Sequence, residues 1–376
     1  MKQHFLNITA SFADLGIILP LVLAMTSAAG MNTGLVLMGL GVYAISSGLI
    51  YRRPIPAQPM KVVAAMTIVG QMDQQAVMAT GILIGITVLV LGLTGWAGQL
   101  KKLVSSTIML GIQTALAFIL LLTAVPFVKG TLLPALILLG LFILLKNTRA
   151  HPVAFITILA ISLFMYWETV QTTTDAPLLE LVVPVFSLPA LDSMLTALNI
   201  AFFPQLALTL TNALFLTAVI AHEYFPDDKA RITEDRLAVS TGGLNLLLAP
   251  FGAIPMCHGA SGLVAYHAAG GRSGLPVIVL GLVLLILGLM TGPAASYYLS
   301  LLPKPVFGIL LLITATYMVA PKKLLKLSPV SMLTVLLVTV IGVVYSLLVG
   351  LLAGMLFEYI GNRVIKPRKH ADTQSL

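Results

Sequence analysis

The sequence predicts an all-α polytopic membrane protein of about 14 spans, arranged as two inverted repeats of seven spans each. Three observations predict it: a composition without a polar shell, basic residues concentrated in alternate loops, and one proline-rich motif present in both halves. Of 376 residues, 59% are hydrophobic and 9% charged, whereas globular domains carry about 25% charged residues. Apolar runs recur along the whole chain, so its predicted surroundings are the lipid bilayer.

The spans are placed by reading apolar runs between charges and Gly/Pro breaks. Numbered 1 to 14, they are 12–30, 34–50, 56–70, 76–96, 103–125, 131–146, 151–167, 192–221, 236–248, 254–268, 274–292, 305–320, 328–342 and 344–361. We expect a first inverted repeat at 1–167, an outer connecting segment at 168–191, a second repeat at 192–361 and a cytoplasmic tail at 362–376.

The loop charges predict the orientation. With the N-terminus inside, the inner loops and tails hold these basic residues: Lys2, Arg52, Arg53, Lys101, Lys102, Lys146, Arg149, Lys229, Arg231, Arg236, Arg272, Lys322, Lys323, Lys326, Arg363, Lys366, Arg368 and Lys369. The outer loops hold only Lys129 and Lys304, and the longest is acidic. Because Lys and Arg concentrate in cytoplasmic loops, both termini are expected in the cytoplasm. The net charge of +8 is thus explained by basic residues in the inner loops and tails, and it does not indicate nucleic-acid binding.

An internal repeat marks a candidate site. The segment Pro54-Ile-Pro-Ala-Gln-Pro-Met60 returns as Pro250-Phe-Gly-Ala-Ile-Pro-Met256, with four identities at one constant offset. Paired interrupted segments in two inverted halves point to a transporter binding site. Broken helices survive in a membrane only where protein or a water-lined cavity covers them, and their N-termini offer free N–H groups and partial positive charge. Chance similarity of two Pro-rich loops is the alternative, and the independently derived inversion argues against it.

Lys61 is the one Lys or Arg predicted deep within a span. An intramembrane cation costs at least ~2.5 kcal/mol, which makes it a functional candidate that would neutralise part of an oxyanion. The alternatives are that its ammonium reaches toward water or pairs with Asp14. Asp14 lies near the inner end of span 1, where it would either form a cap or salt bridge or carry a proton.

Further candidates lie on spans 8 and 10. Gln205, Thr209 and Asn212 are spaced by four and three residues and share one helix face, where they would either bind an oxyanion or pack between helices. His258 is a donor to the anion, a proton carrier, or a buried neutral side chain holding backbone carbonyls. Cys257, His258, Gly259 and Ser261 are expected to begin the second half-helix, as Lys61 begins the first.

Enzyme chemistry is excluded by missing motifs. The single cysteine, Cys257, rules out a disulfide framework and a cysteine-based zinc site. The sequence has no nucleophile elbow, no zinc-protease motif and no phosphate-binding loop. We therefore expect no enzyme, no cofactor and no metal, and transport that is secondary or a facilitated leak.

Four motifs resemble those of the molybdate transporter family, within the sulfate permease superfamily. They are Phe12-Ala-Asp-Leu-Gly-Ile-Ile-Leu-Pro-Leu21, Pro56-Ala-Gln-Pro-Met-Lys61, Pro204-Gln-Leu-Ala-Leu-Thr-Leu-Thr-Asn-Ala213 and Ala249-Pro-Phe-Gly-Ala-Ile-Pro-Met-Cys-His-Gly-Ala-Ser-Gly262. The first departs from the family pattern at Ala13, which is usually Gly. The resemblance implies a core of spans 1–4 and 8–11, a gate of spans 5–7 and 12–14, and broken helices in spans 3 and 10. It also implies the bacterial branch without a C-terminal regulatory domain, an inner-membrane location, and Gln58 as a binding residue; a homodimer is common among relatives of this fold.

The function expected from repeat and resemblance is symport of a tetrahedral divalent oxyanion, molybdate first and sulfate second. The anion would bind between the two half-helix N-termini, with access alternating between the two sides of the membrane. Its uptake would be coupled to protons carried by Asp14 or His258. A nucleobase permease shares this fold but would be expected to use carboxylates where this chain has Gln205 and His258. An anion channel with the same pore is the other alternative, and sequence does not separate it from a carrier.

Overall fold

The computed structural model describes residues 7, 10–99, 105–129, 132–145, 181–300, 304–318 and 321–364. The helices are Leu15–Ala28, Thr33–Tyr51, Lys61–Ile68, Gln74–Leu93, Ser106–Val128, Leu132–Leu145, Leu191–Tyr224, Glu234–Leu248, Ala260–Ala268, Leu275–Ser300, Lys304–Met318, Pro321–Leu324, Pro329–Val344 and Leu347–Val364. Apart from the short helix Pro321–Leu324, each coincides with a predicted span. Predicted span 7, at 151–167, lies outside the described residues.

Four of the described helices are long and apolar enough to cross a membrane by length and composition alone. They are Thr33–Tyr51, Gln74–Leu93, Ser106–Val128 and Leu191–Tyr224. The shorter apolar helices are Leu275–Met290, Pro329–Val344 and Leu347–Gly361. Spans 3 and 10 contain only 8 and 9 helical residues, so each crossing is completed by non-helical backbone.

Two glycine-lined helix pairs repeat the same packing in both halves. Span 2 packs along span 11: a Cβ at Gly41 would lie 2.7 Å from the carbonyl oxygen of Gly281, and a Cβ at Gly281 would lie 2.8 Å from that of Gly41. Span 4 packs along span 9 in the same way, since a Cβ at Gly242 would lie 2.7 Å from the carbonyl oxygen of Gly85. In a repeat of seven spans, span 2 corresponds to span 9 and span 4 to span 11, so both pairs are one contact made twice.

The described helices form two packing groups. The core helices are spans 1–4 and 8–11, in which span 1 packs on span 3, span 8 on span 10, span 2 on span 11 and span 4 on span 9. The gate helices are spans 5, 6 and 12–14, of which spans 12 and 13 pack on span 5. The groups meet where span 12 packs on span 1, span 5 on span 3 and span 14 on span 8. The boundaries of the two repeats stay a prediction.

Spans 3 and 10 meet end to end through a two-stranded antiparallel sheet. Strand β1 (Gln58–Pro59) pairs with β2 (Met256–Cys257), with Gln58 opposite Cys257 and Pro59 opposite Met256. One residue further, the backbone N–H of Met60 donates to the carbonyl of Pro255 at 2.9 Å. The two Pro-Met copies found in the sequence therefore face each other, which satisfies backbone groups that a broken helix leaves open.

The two half-helices do not begin at corresponding residues. Span 3 becomes helical at Lys61, directly after the Pro-Met pair, as expected. Span 10 becomes helical only at Ala260, so the expectation that Cys257 and His258 begin that helix is wrong. Cys257 is held in β2, and Gly259 caps the helix in an extended conformation, with φ −97° and ψ 120°.

Loops predicted on the same side of the membrane contact one another. Arg53, after span 2, forms an ion pair with Asp228 of the loop after span 8 and lies 4.6 Å from the ring centre of Phe225. Its Nη1 also donates to the carbonyl of Arg272, beyond span 10, at 2.7 Å. At the opposite end, the N–H of Ser187 donates to the carbonyl of Pro250 at 2.8 Å. These contacts agree with the predicted alternation of loops.

Candidate substrate site between the broken helices

Lys61 begins the half-helix of span 3 and lines a small pocket. The pocket has a volume of about 10 Å³, room for a single water-sized group, and is lined by Gln58, Lys61, Gln113, Gln205, Leu208, Asn212 and Cys257. Lys61 is half-buried, and within the described part of the chain no side chain forms a hydrogen bond or ion pair with its ammonium. An unpaired cation in a membrane interior is costly, so the pocket is electrostatically suited to an anion.

The other polar groups of the pocket are carboxamides. Gln58, Gln113, Gln205 and Asn212 contribute amides, and none of the lining residues is an Asp or Glu. Amide N–H groups donate hydrogen bonds without adding charge, while a carboxylate would repel an anion. One cation and four neutral amides make the lining chemically compatible with an oxyanion.

Gln205 caps the half-helix of span 3. Its Oε1 accepts a hydrogen bond of 2.9 Å from the backbone N–H of Val62, and its Nε2 donates to Oγ1 of Thr209 at 3.0 Å. The first turn of a helix has backbone donors without intrahelical partners, and one of them is here satisfied by span 8. Thr209 thus orients Gln205 from behind, and it is not among the residues lining the pocket.

Span 8 carries these residues on an irregular helix. Leu198–Phe202 and Thr209–Leu216 are π-helical segments within Leu191–Tyr224. Such wide turns are frequent at functional sites. Gln205 and Thr209 are joined by a hydrogen bond on one face of this helix, and Gln205 and Asn212 both line the pocket, whereas Thr209 does not line it.

Gln58 connects the pocket to a buried carboxylate. Its Nε2 donates to Oδ1 of Asp14 at 2.6 Å, and its Oε1 accepts a hydrogen bond of 3.4 Å from Oγ of Ser261. Asp14 is fully buried. Its second oxygen, Oδ2, and the hydroxyl of Tyr266 are buried with no hydrogen-bond partner among the described residues. Asp14 therefore lies directly behind Gln58, with one oxygen free to take a proton.

The start of span 10 lies against Gln58. A Cβ at Gly262 would lie 2.5 Å from Oδ2 of Asp14 and 2.7 Å from Nε2 of Gln58, and a Cβ at Gly259 would overlap Oε1 of Gln58. Gly259 and Ser261 thus contact a pocket residue without lining the pocket themselves. Ser261, Val264 and Ala268 form an exposed face of this half-helix.

His258 is fully buried outside the pocket, with both ring nitrogens engaged. Nδ1 lies 3.0 Å from the carbonyl oxygen of Pro56 and Nε2 lies 2.8 Å from Oγ of Ser240. The Pro56 carbonyl accepts only, so Nδ1 carries a hydrogen and donates to it, while Nε2 lies against the Ser240 hydroxyl, which also donates to the carbonyl of Leu237. The rings of Tyr43 and Tyr51 lie 5.3 and 5.4 Å away. This geometry favours the interpretation that His258 holds a backbone carbonyl.

Of the predicted site residues, the structure brings Gln58, Lys61, Gln205 and Asn212 together. Thr209, Gly259 and Ser261 contact these residues, Asp14 lies behind them, and His258 is held elsewhere. Sequence reasoning missed Gln113, which reaches the pocket from the helix of span 5, Ser106–Val128. The available signal was a lone carboxamide in the middle of an apolar span.

Comparisons with known proteins place the chain among transporters. The family model described as "Molybdate transporter of MFS superfamily" matches residues 7–120 and 197–318. Molybdate transporter 2 of Arabidopsis thaliana is 27% identical over 356 residues, which cover 81% of this chain and 76% of that protein.

Solved structures share the fold. The transmembrane domain of a cyanobacterium bicarbonate transporter, BicA, has a TM-score of 0.65 and 18% identity, covering 94% of this chain and 97% of its own. The murine Solute Carrier 26 family member A9 anion transporter in the inward-facing state has a TM-score of 0.67 and 14% identity, covering 95% and 68%. The predicted all-α fold of inverted repeats, with broken helices in spans 3 and 10, is confirmed.

Proposed function

Since the chain belongs to the molybdate transporter family, we propose that this anion transporter is a secondary carrier of a tetrahedral divalent oxyanion, with molybdate preferred and sulfate next. The observation that carries the proposal is Lys61, whose ammonium has no partner among the described residues and lines the pocket between the broken helices. A dianion entering this pocket gains that cation together with amide donors.

The donor set supports an oxyanion over a nucleobase. A nucleobase site would be expected to offer a carboxylate to ring N–H groups, and the lining residues include none. Hydrogen bonds to a charged group contribute about 1.5–3 kcal/mol each, so a few amides suffice for tight binding. Molybdate, tungstate and sulfate share one shape and charge, and size and donor geometry would separate them.

Accumulation of a dianion needs a coupled cation. Moving each negative charge into a cell with a negative interior costs ~2.3 kcal/mol per 100 mV of membrane potential. We infer proton symport, with Asp14 as the carrier, because its Oδ1 accepts a hydrogen bond from pocket residue Gln58 and its Oδ2 has no partner among the described residues. His258 is the second candidate, and its engaged ring nitrogens make it the weaker one.

Alternating access and orientation complete the proposal. The exposed face of the span 10 half-helix (Ser261, Val264 and Ala268) offers the substrate a route toward the inner side of the membrane. The span 3 half-helix, by contrast, is covered by its packing on span 5. We infer from the charge asymmetry of the loops that both termini face the cytoplasm, and we propose a bacterial inner membrane as the location. The orientation is tested with a tag at each terminus and a membrane-impermeant reagent added to intact spheroplasts. Reaction of either tag with the reagent would contradict the proposed orientation.

The test is a comparison of substrates. The purified protein is titrated with molybdate, tungstate, sulfate and uracil, and uptake is followed in proteoliposomes. We expect binding of the oxyanions, with molybdate tightest, and concentrative uptake that an uncoupler abolishes. Binding of uracil alone would establish a nucleobase permease, and equilibration that ignores every gradient would establish a channel.

A further inference from the structure

We propose that Gln113, on the gate helix of span 5, is a direct ligand of the transported oxyanion and joins the gate to the core through the substrate. This inference rests on the proposed function and deepens it, because it assigns a specificity-determining residue to the same pocket. Gln113 is the lining residue that comes from outside the core helices.

The first support is that three polar side chains of the pocket have no hydrogen-bond partner among the described residues. Nε2 and Oε1 of Gln58 and of Gln205 each have a protein partner. The side chains of Lys61, Asn212 and Gln113, by contrast, form no hydrogen bond with any described residue. The polar side chains with no partner at all among the described residues therefore come from three elements, the span 3 half-helix, span 8 and span 5, while Gln58 and Gln205 each keep one further N–H. A tetrahedral oxyanion presents acceptor oxygens in several directions, which suits donors converging from three sides.

The second support is that packing fixes the direction of Gln113. Two residues earlier, the carbonyl of Gly111 accepts a hydrogen bond of 3.2 Å from Oγ1 of Thr339, and a Cβ at Gly111 would lie 2.6 Å from Cβ of Val338. That face of the helix is pressed on span 13. Residues two apart are about 200° apart around a helix, so Gln113 faces away from span 13 and toward the core.

The third support is a contact one turn before Gln113, on the same helix face. Oγ1 of Thr211, which also donates to the carbonyl of Ala207, lies 2.9 Å from Sδ of Met109, so this face of span 5 contacts span 8 beside Asn212. The other hydroxyls near Gln113 are satisfied inside their own helix, since Thr114 and Thr123 donate to the carbonyls of Leu110 and Ile119. Gln113 is thus the side chain of this region whose polar group is directed at the pocket without a protein partner.

This arrangement makes substrate binding depend on the relative position of core and gate. Lys61 and Asn212 move with the core helices, whereas Gln113 stays with span 5. An oxyanion held by all three is bound most tightly when the three groups converge on it, and it loses one ligand when core and gate separate. A ligand with different affinity for two arrangements shifts the population between them.

The experiment compares Gln113→Leu, Gln113→Asn and Gln113→Glu with wild type, using molybdate titration of purified protein. The leucine variant keeps a similar volume without donors, and we expect its affinity to fall about tenfold, the loss of one hydrogen bond to a charged ligand. The asparagine variant should lie between leucine and wild type. The glutamate variant should bind poorly at high pH and recover on acidification, because only a deprotonated carboxylate repels the oxyanion. Gln75→Leu, a half-buried carboxamide outside the pocket, is the matched control and should bind as wild type does.

The outcomes separate the two proposals. If wild type binds molybdate and Gln113→Leu binds equally well, the inference about Gln113 is overturned and the proposed function stands. If wild type binds no oxyanion, the proposed function fails, and the role of Gln113 with it. Should Gln113→Leu fail to fold, the pH response of Gln113→Glu decides, since a packing defect would not reverse on acidification.

Discussion

Gln58 donates a hydrogen bond of 2.6 Å from Nε2 to Oδ1 of Asp14, and this contact joins the pocket to a fully buried carboxylate. Oδ1 accepts this bond whether Asp14 is protonated or ionised, which leaves Oδ2 as the oxygen that would carry a proton. The charge behind Gln58 can therefore change without breaking the contact that positions the amide.

We predict that Asp14→Asn removes the pH dependence of molybdate uptake. Asparagine keeps an acceptor for Gln58 and loses the titrating group, so uptake should no longer respond to an inward proton gradient. Wild-type uptake should rise as the outer pH falls. The measurement is uptake into proteoliposomes under an imposed pH gradient, with and without sodium.

His258→Gln is the companion variant, and we expect it to keep the pH dependence at a reduced folded yield. Its ring bridges Pro56 and Ser240, so the loss is structural. A flat pH response in His258→Gln alone would instead identify the histidine as the carrier. Sodium-dependent uptake that ignores pH would contradict proton coupling through either residue.

We predict that Lys61→Ala weakens molybdate binding at least about tenfold while folded yield stays at the wild-type level. Within the described residues the ammonium has no protein partner, so its removal breaks no internal contact and relieves the cost of a buried cation. Isothermal titration and size-exclusion chromatography provide the two readouts. Lys61→Arg should rescue binding only in part, because a planar fork replaces a compact charge. Wild-type affinity in the alanine variant would make Lys61 structural.

Gln205→Ala should lower both affinity and thermal stability. The buried N–H of Val62 loses its acceptor, and an unsatisfied buried donor costs about 1–3 kcal/mol. We expect affinity for molybdate to fall about tenfold because the start of the span 3 helix loosens around Lys61. The control is Glu223→Ala, which changes an exposed residue near the inner end of span 8 and should leave both quantities unchanged. Equal losses in the two variants would show that the binding face of span 8 is misassigned.

Gly259→Ala should disturb the site through Gln58. A Cβ at Gly259 overlaps Oε1 of Gln58, so the amide must leave its place between Ser261 and Asp14. We expect binding to weaken about tenfold. Gly243→Ala is the control, because a Cβ there meets no atom within 4 Å and alanine favours a helix. Unchanged molybdate titrations for Gly259→Ala would indicate that Gln58 does not shape the pocket.

The sequence was sufficient for the features that depend on local pattern. The Pro-Met repeat located both broken helices, and Lys61, Gln58, Gln205 and Asn212 were predicted from their motifs and spacing. Hydrophobic runs and loop charges located the spans, because bilayer thickness and backbone hydrogen bonding constrain both strongly.

Features that depend on individual side-chain hydrogen bonds or on packing between distant segments could not be predicted from the sequence. Thr209 shares a helix face with Gln205 but orients that amide and does not line the pocket, which residue spacing alone does not predict. The orientation of His258 is set by Pro56, which lies 202 residues away. Gln113 reaches the pocket only because span 13 fixes the far side of its helix, a contact between distant segments.

The pairing of β1 with β2 also constrains biogenesis. The segment around Pro56 must enter the membrane with open backbone groups, and its partner around His258 is synthesised 202 residues later. At translation rates of about 5–20 residues per second, the first broken helix waits roughly 10–40 s for the second. Until then the first repeat is an incompletely folded insertion product. Its unpaired backbone groups need to be shielded from lipid by the translocation machinery or a membrane chaperone.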